Sequence, residues 1–353
     1  MKTGTKIILG GVTAGTILAG AATGLALTTA LRQIRKRRQF ADLRGQTVLI
    51  TGGSRGLGLA LAEEFGRQGC RVVICARYQD ELVRARQQLE SLGVETAAMP
   101  CDVSKPEDAE QLIHFATKHF GRIDILVNNA ATISVGPLLS MGVEDFQESM
   151  DSIFWGAVYP TLAALPQMID HGHARIVNIT SIGGKVSVPH TIPYNCAKFA
   201  MVGFSEGLYA EMKRFGIRVL TVVPGLMRTG SHSRAAFKGK HQQEYGWFAL
   251  SGTNPLLSMS VERAASQIVE ATRRNCAELT LGLPARSLAK LHGVAPEVTL
   301  RAMSLVNRLL PDERGGSRHK KHGHESESAV TRSPLTALGR RAARRYNQTA
   351  EQV

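Results

Sequence analysis

The sequence predicts an α/β fold built on a doubly wound parallel sheet, and three observations predict it. Short runs rich in Val, Ile and Leu recur between residues 47 and 282, and helical patterns separate them. Those runs are apolar throughout rather than alternating, as strands covered by helices on both faces require. A glycine-rich turn joins the first strand to the first helix.

The elements follow in order. A strand at 48–51 leads to a helix over about 56–68, and a strand at 71–76 (RVVICA) to a polar helix over 80–92. A strand at 96–99 precedes a helix over 106–120, and one at 125–127 precedes a helix over about 144–169. The fifth strand is 175–179, followed by a helix over 194–215; the sixth is 217–223. A helix over 261–275 and a seventh strand at 279–282 close the pattern. Right-handed crossovers wind such units onto both faces of one sheet. Residues 230–256 break the rhythm with Gly, Ser, His and Pro and read as a lid, and 284–310 read as short helices beyond the core.

The net charge of +14 suggests nucleic acid until it is located. Residues 1–40 carry +7 and residues 311–353 carry +4, which leaves +3 for the globular part, 41–310. Basic ends suit a membrane surface better than a groove reader, and aromatics are only 5%, so nucleic-acid binding is not expected. The five cysteines have no C-x-x-C spacing and read as reduced thiols of a cytosolic domain.

Residues 7–31 form a run of 25 residues without a charge. As a helix it spans about 37 Å, enough to cross a hydrocarbon core of about 30 Å. Arg32, Arg35, Lys36, Arg37 and Arg38 follow it. Positive-inside bias therefore predicts a single-pass anchor with the catalytic domain in the cytoplasm. A cleaved signal peptide ending at Ala19-Gly20-Ala21 is the rival reading. The run exceeds the usual apolar length of such a signal, and a basic cluster follows directly. Gly11 with Gly15 and Gly20 with Gly24 allow close approach of a second helix, so a homodimer is open to the chain. From Pro311 the tail is polar and charged and is expected to be largely disordered. Its His319, His322 and His324 read as a solvated linker rather than a metal site.

The turn reads Thr51-Gly52-Gly53-Ser54-Arg55-Gly56-Leu57-Gly58. Glycines let the backbone approach a pyrophosphate, and the helix N-terminus adds free N–H groups and partial positive charge. Its T-G-x-x-x-G-x-G spacing resembles that of the short-chain dehydrogenase/reductase family, whose fold is Rossmann-like. Further motifs stand in the family's order: Asp102, Asn128-Asn129-Ala130, Ser181, Tyr194-x-x-x-Lys198, Pro224-Gly225 and Thr229. The resemblance spans about residues 44–280.

A 2′-phosphate needs cations, whereas an NAD site places a carboxylate on the ribose. The second strand ends Cys75-Ala76-Arg77 with no acid, and Arg55 lies in the turn. Both arginines point to NADP(H). The resemblance further implies that Gly52, Ser54, Gly56, Leu57 and Gly58 line the phosphates, that Asp102 and Val103 hold adenine, and that Asn129 supports the nucleotide. Pro224, Gly225 and Thr229 would orient the nicotinamide.

Reduction of a carbonyl needs a proton donor beside its oxygen. A free Tyr titrates near 10, and a nearby Lys cation lowers that value. Tyr194 and Lys198 share one helix face. The resemblance implies Tyr194 as acid–base, Lys198 as its activator and a ribose ligand, and Ser181 as the group that polarises the carbonyl. No metal is called for. The function expected is therefore an NADP(H)-dependent oxidoreductase acting on a secondary alcohol or carbonyl. Lid residues Phe237, Tyr245, Trp247, Phe248, Leu256 and Leu257 suggest an apolar small-molecule substrate.

Two positions depart from the family. Ala131 replaces the Gly of N-N-A-G, a small change. The family also carries an Asn three residues before a Gly on the helix preceding the fifth strand; counting back from Gly156 gives Ile153. Isoleucine cannot hold the water of the family's proton relay, and Ser152 on a regular helix points about 100° away. On this ground Ile153→Asn is expected to raise turnover. The alternative is a catalytically weak or inactive nucleotide-binding regulatory protein.

Overall fold

The computed structural model describes residues 41–312 and 316–349. In chain order, β1 (Thr47–Thr51) leads to α1 (Gly56–Arg67), β2 (Arg71–Ala76) to α2 (Gln79–Ser91), and β3 (Thr96–Pro100) to α3 (Pro106–Phe120). β4 (Ile125–Asn128) is followed by a two-residue β5 (Ser134–Val135), α4 (Val143–Ser149), a π-helical turn (Met150–Trp155) and α5 (Gly156–His171). Then come β6 (Arg175–Ile179), α6 (Ile192–Met212), β7 (Arg218–Pro224) and a short β8 (Leu226–Arg228). The segment read as a lid contains β9 (Ala236–Gly239) and α7 (His241–Thr253). β10 (Ser258–Ser260), α8 (Val261–Arg273), β11 (Glu278–Leu281), α9 (Leu283–Val294) and α10 (Pro296–Asn307) follow.

Seven of these strands form one parallel sheet in the order β11-β7-β6-β4-β1-β2-β3. The fold class is the one expected. Every residue of β1 is buried, because helices cover both faces. The chain leaves β1 toward β2 on one side and returns to β4 on the other, so the order reverses between β1 and β4. A crevice opens beyond the carboxyl ends of strands at such a reversal.

The segment expected to be one helix over 144–169 is broken into three parts. The π turn at Met150–Trp155 separates α4 from α5 and turns Ile153 into the protein, where it is fully buried. Its neighbours are Ala157, Ala197 and Met201, with Tyr194 packed against them.

The tail departs most from expectation. Residues 316–349 are ordered, adding β12 (Ser317–His322), α11 (Ala329–Arg332) and α12 (Ala337–Arg345). β12 pairs antiparallel with β9, which itself pairs with β5, so the tail completes a three-stranded sheet on the lid. α12 approaches Gly230 so closely that a Cβ there would meet Ala343. Beyond it, Tyr346 is fully buried and its hydroxyl donates to Glu262 Oε1 at 3.2 Å. The tail's apolar burial rests on a few side chains, chiefly Ala343 and Tyr346. Among the described residues, no group of three or more His, Cys, Asp or Glu is placed to hold a metal. The five cysteines are free thiols.

The uncharged run at residues 7–31 lies outside the described residues. Among those described, no helix is long and apolar enough to cross a membrane.

Removing a buried large aromatic side chain costs about 3–5 kcal/mol. Tyr346→Ala should therefore release the tail, a strap across the lid, and speed tryptic cleavage at Arg344 and Arg345 by at least about tenfold, because proteolysis follows the open population. Equal cleavage rates in the two proteins would restore the disordered-tail reading.

Candidate functional site

The site is built where β1 and β4 end. The Thr51 hydroxyl accepts from the Asn129 and Ala130 backbone N–H groups at 3.0 and 3.1 Å. The Asn129 side-chain amide returns two bonds, to the carbonyls of Thr51 and Gly52 at 2.9 and 3.1 Å. These bonds fasten the glycine-rich turn to the end of the neighbouring strand. Gly52 has a φ of +64°, and a Cβ at Gly58 would collide with the Gly52 carbonyl, so the turn closes only with glycine at both places.

A cavity of about 560 Å³ runs from this turn to α6. Every catalytic and cofactor-binding residue expected from the sequence lines it except Gly56. The Gly56 N–H instead donates to the Tyr346 carbonyl at 2.8 Å.

One end of the cavity holds Arg55, Arg77 and Asp102. Arg55 pairs with Glu81 at 2.7 Å, and Ser54 Oγ donates to the same carboxylate at 3.1 Å. Burial pushes the Arg55 guanidinium below its ordinary value, and the Glu81 charge pulls it back. Asp102 Oδ1 accepts from the Ser104 hydroxyl and N–H, at 2.7 and 3.2 Å.

The other end holds Ser181, Tyr194 and Lys198, close to Pro224, Gly225 and Thr229. Ser181 stands just past β6, and its Oγ accepts from Gly183 N–H at 3.0 Å. A Cβ at Gly183 would lie 3.4 Å from the Tyr194 ring and 3.5 Å from Ser181 Oγ, so the two side chains flank one glycine. α6 projects Tyr194 and Lys198 from one face, and Lys198 Nζ donates to the Ile179 carbonyl at 2.8 Å. The helix start is also held from the lid. His190 Nδ1 lies 2.8 Å from Glu244, whose other oxygen accepts from Trp247 Nε1 at 2.6 Å.

The electrostatics differ from the expectation for this pair. Burial pushes the Tyr194 phenol above its ordinary value, and the Ser181 hydroxyl draws it partly back. Burial pushes the Lys198 ammonium down to about 7. Its Nζ lies 5.7 Å from the Tyr194 ring centroid and is turned to a carbonyl. With its ammonium disfavoured by burial and turned to a carbonyl, Lys198 does not offset the upward push of burial on Tyr194.

Two sets of residues change roles. Phe237, Tyr245, Trp247 and Phe248, read as substrate-facing, pack with Val135 and Ala249 into a small core of the lid. Leu256 and Leu257 are exposed, and none of the six lines the cavity. An extended chain cannot show that a cluster of aromatics will satisfy itself. Conversely, Ser152 lines the cavity and its hydroxyl lies 2.7 Å from that of Thr132. The π turn rotates it there, against the regular-helix expectation. Glu81 and Gln348 were also not foreseen. An acid four residues after Arg77, in the first turn of α2, was the available signal for Glu81; Gln348 had none.

The residues present fit a dinucleotide. The turn gives a backbone rim without side chains, α1 begins with no side-chain cap and no acid in its first turn, and cations stand at one end.

The profile of short chain dehydrogenases matches residues 46–238. The chain belongs to the short chain dehydrogenase family. Within the family it is 33% identical over 275 residues to the Dehydrogenase/reductase SDR family protein 7-like of Anopheles gambiae, covering 76% of this chain and 85% of that one. Among solved structures it is similar to L-sorbose reductase from Gluconobacter frateurii complexed with NADPH and L-sorbose. The TM-score is 0.61 at 28% identity, covering 68% of this chain and 97% of the other. The actinorhodin polyketide ketoreductase with NADPH matches with a TM-score of 0.60 at 28% identity, over 67% and 95%. The matched residues of this short chain dehydrogenase run from β1 through β7, six of the seven strands of the parallel sheet.

Two outcomes follow for this dehydrogenase. Ile153→Asn places an amide in an apolar cluster, which costs about 1–3 kcal/mol without a partner. Its melting temperature should fall, contrary to a simple gain of a relay residue, and thermal denaturation measures it. Lys198 keeps its proton to about 10.4 when unfolded but loses it near 7 when folded. Between those values the unfolded chain binds more protons, so this group's contribution to stability rises with pH. The stability advantage of Lys198→Met over the native chain should be largest at pH 7 and below and shrink toward pH 10, as denaturant titrations at several pH values will show.

Proposed function

We propose that the protein is an NADP(H)-dependent oxidoreductase that interconverts a secondary alcohol and a carbonyl at a Ser181, Tyr194, Lys198 site. The observation that carries this reading is that these three side chains share one cavity with Arg55, Arg77 and the glycine-rich turn. NADPH in the two related solved structures supports the choice of cofactor. When bound, the dinucleotide would supply or accept the hydride, which is the chemistry the protein's own side chains lack. Arg55, Arg77, the Leu57 and Gly58 backbone, Asn129 and Thr229 would hold it.

The protein's own contribution is proton handling and orientation. Ser181 Oγ and Tyr194 Oη would hold one substrate oxygen. Tyr194, kept protonated by burial, is suited to donate to a developing alkoxide. Lys198 lies behind it as a cation that loses its proton near neutral pH, so its charge is most available to the ribose below about 7. The lid aromatics give no support to a strictly apolar substrate. Ser152, Thr132 and the acids Glu144, Glu148 and Asp151 line the cavity with it, so a carbonyl compound bearing other polar groups fits better. Ile153 is the observation that favours a weak or inactive nucleotide-binding protein, because it leaves the proton relay without its amide.

Tyr194→Phe separates these readings. In the enzyme it should abolish NADPH-dependent ketone reduction while NADPH binding is retained. A wild-type chain that binds NADPH yet reduces no ketone in a broad panel would favour the regulatory reading.

The run at 7–31 and its basic flank support a single-pass anchor with the catalytic domain in the cytoplasm. Its two G-x-x-x-G steps support a homodimer through that helix. Removal of residues 1–40 should give a protein that no longer sediments with membranes yet still binds NADPH. Sedimentation that persists after a high-salt wash would place the attachment elsewhere.

A further inference from the structure

The C-terminal strap meets the nucleotide site at four points. The Tyr346 carbonyl takes the Gly56 N–H at 2.8 Å. The Asn347 side-chain amide donates to the Ser54 carbonyl at 3.2 Å. The Gln348 carbonyl accepts from Ser233 Oγ at 3.1 Å and from Arg234 Nε at 3.2 Å. Gln348 is itself buried and forms part of the cavity wall. The strap therefore leaves the cavity in place and fixes one side of it.

Arg234 is the residue these contacts position. Its Nη2 lies 3.2 Å from Glu81 Oε1, the same oxygen that pairs with Arg55 at 2.7 Å. Arg77 and Arg234 both repel the Arg55 cation, so the three guanidinium groups stand within electrostatic range of one another. Glu81 supplies one negative charge against their three positive ones, and the four groups together carry +2. A phosphate monoester carries about −1.5 to −2 at pH 7. The Glu81 carboxylate shared between Arg55 and Arg234 holds the two forks side by side, Arg55 lining the cavity and Arg234 just outside its lining.

We propose that Arg234 is a third cation of the site for the cofactor's 2′-phosphate, and that the C-terminal strap positions it through the Gln348 carbonyl. The assignment rests on the NADP(H) reading and adds to it a residue from the lid and a positioning role for the chain's end. It links lid and cofactor: the residue after Ser233 reaches the phosphate only while the strap is docked.

The test is the affinity of the full chain and its variants for NADPH and for NADH, read by titration calorimetry. Losing one charge-assisted hydrogen bond lowers affinity by about ten- to a hundredfold. Arg234→Ala should thus weaken NADPH binding by at least about tenfold and leave NADH binding within about twofold, which also controls for folding. Arg234→Lys should recover part of the loss. A chain ending at Tyr346 keeps the buried ring and lacks Gln348; its NADPH-to-NADH preference should fall, and in the Arg234→Ala background the same truncation should change nothing further. If Arg77→Asp reduces the preference while Arg234→Ala does not, the proposal fails and the NADP(H) reading stands. Equal wild-type affinities for the two cofactors would overturn both. Tighter NADPH binding on truncation would overturn the positioning role and make the strap a competitor.

Discussion

The structure depends on one seam, the join between the ends of β1 and β4. There the Thr51 hydroxyl accepts two backbone N–H groups and Asn129 returns two bonds to the turn. These bonds satisfy groups that the reversal of strand order would otherwise leave without ladder partners. They also fix the direction in which α1 begins, and so the wall of the cavity. On the far side, β6 and α6 bring Ser181, Tyr194 and Lys198 to the same space.

Much of this was legible because it is local. A glycine that must avoid a carbonyl, a strand buried on both faces and a Tyr and Lys one turn apart are each written within a few residues. Arg55 could be read as a cation at the turn, and its partner Glu81 was marked only by an acid in the first turn of α2. What was hidden depends on contacts between distant segments. Gly56 N–H looked free for a ligand because its partner lies 290 residues further on. The tail looked disordered because it buries little beyond Tyr346, Ala343 and a few small polar residues. The lid aromatics looked exposed because their partners, Val135 and Ile133, come from a segment a hundred residues earlier.

The π turn at Met150–Trp155 shows how one extra residue in a helix reassigns two side chains. It moves Ile153 into the cluster behind Tyr194 and brings Ser152 to the cavity. Counting on an ideal helix turns Ser152 about 100° away from the relay position, since π turns leave no mark in apolar periodicity. The burial of Lys198 is a similar lesson in electrostatics: the spacing of Tyr and Lys says that they are neighbours, but desolvation decides how much charge the Lys carries.

The contact between Asn347 and Ser54 spans 293 residues of sequence. On a ribosome adding about 5–20 residues per second, β1 and the turn emerge roughly 15–60 s before the segment that covers them. Through that interval the Gly56 N–H has no strap to donate to, while the parallel sheet is assembling strand by strand. The nucleotide site is thus among the first parts of the chain to be made, yet it is finished only when a segment 293 residues later has followed it.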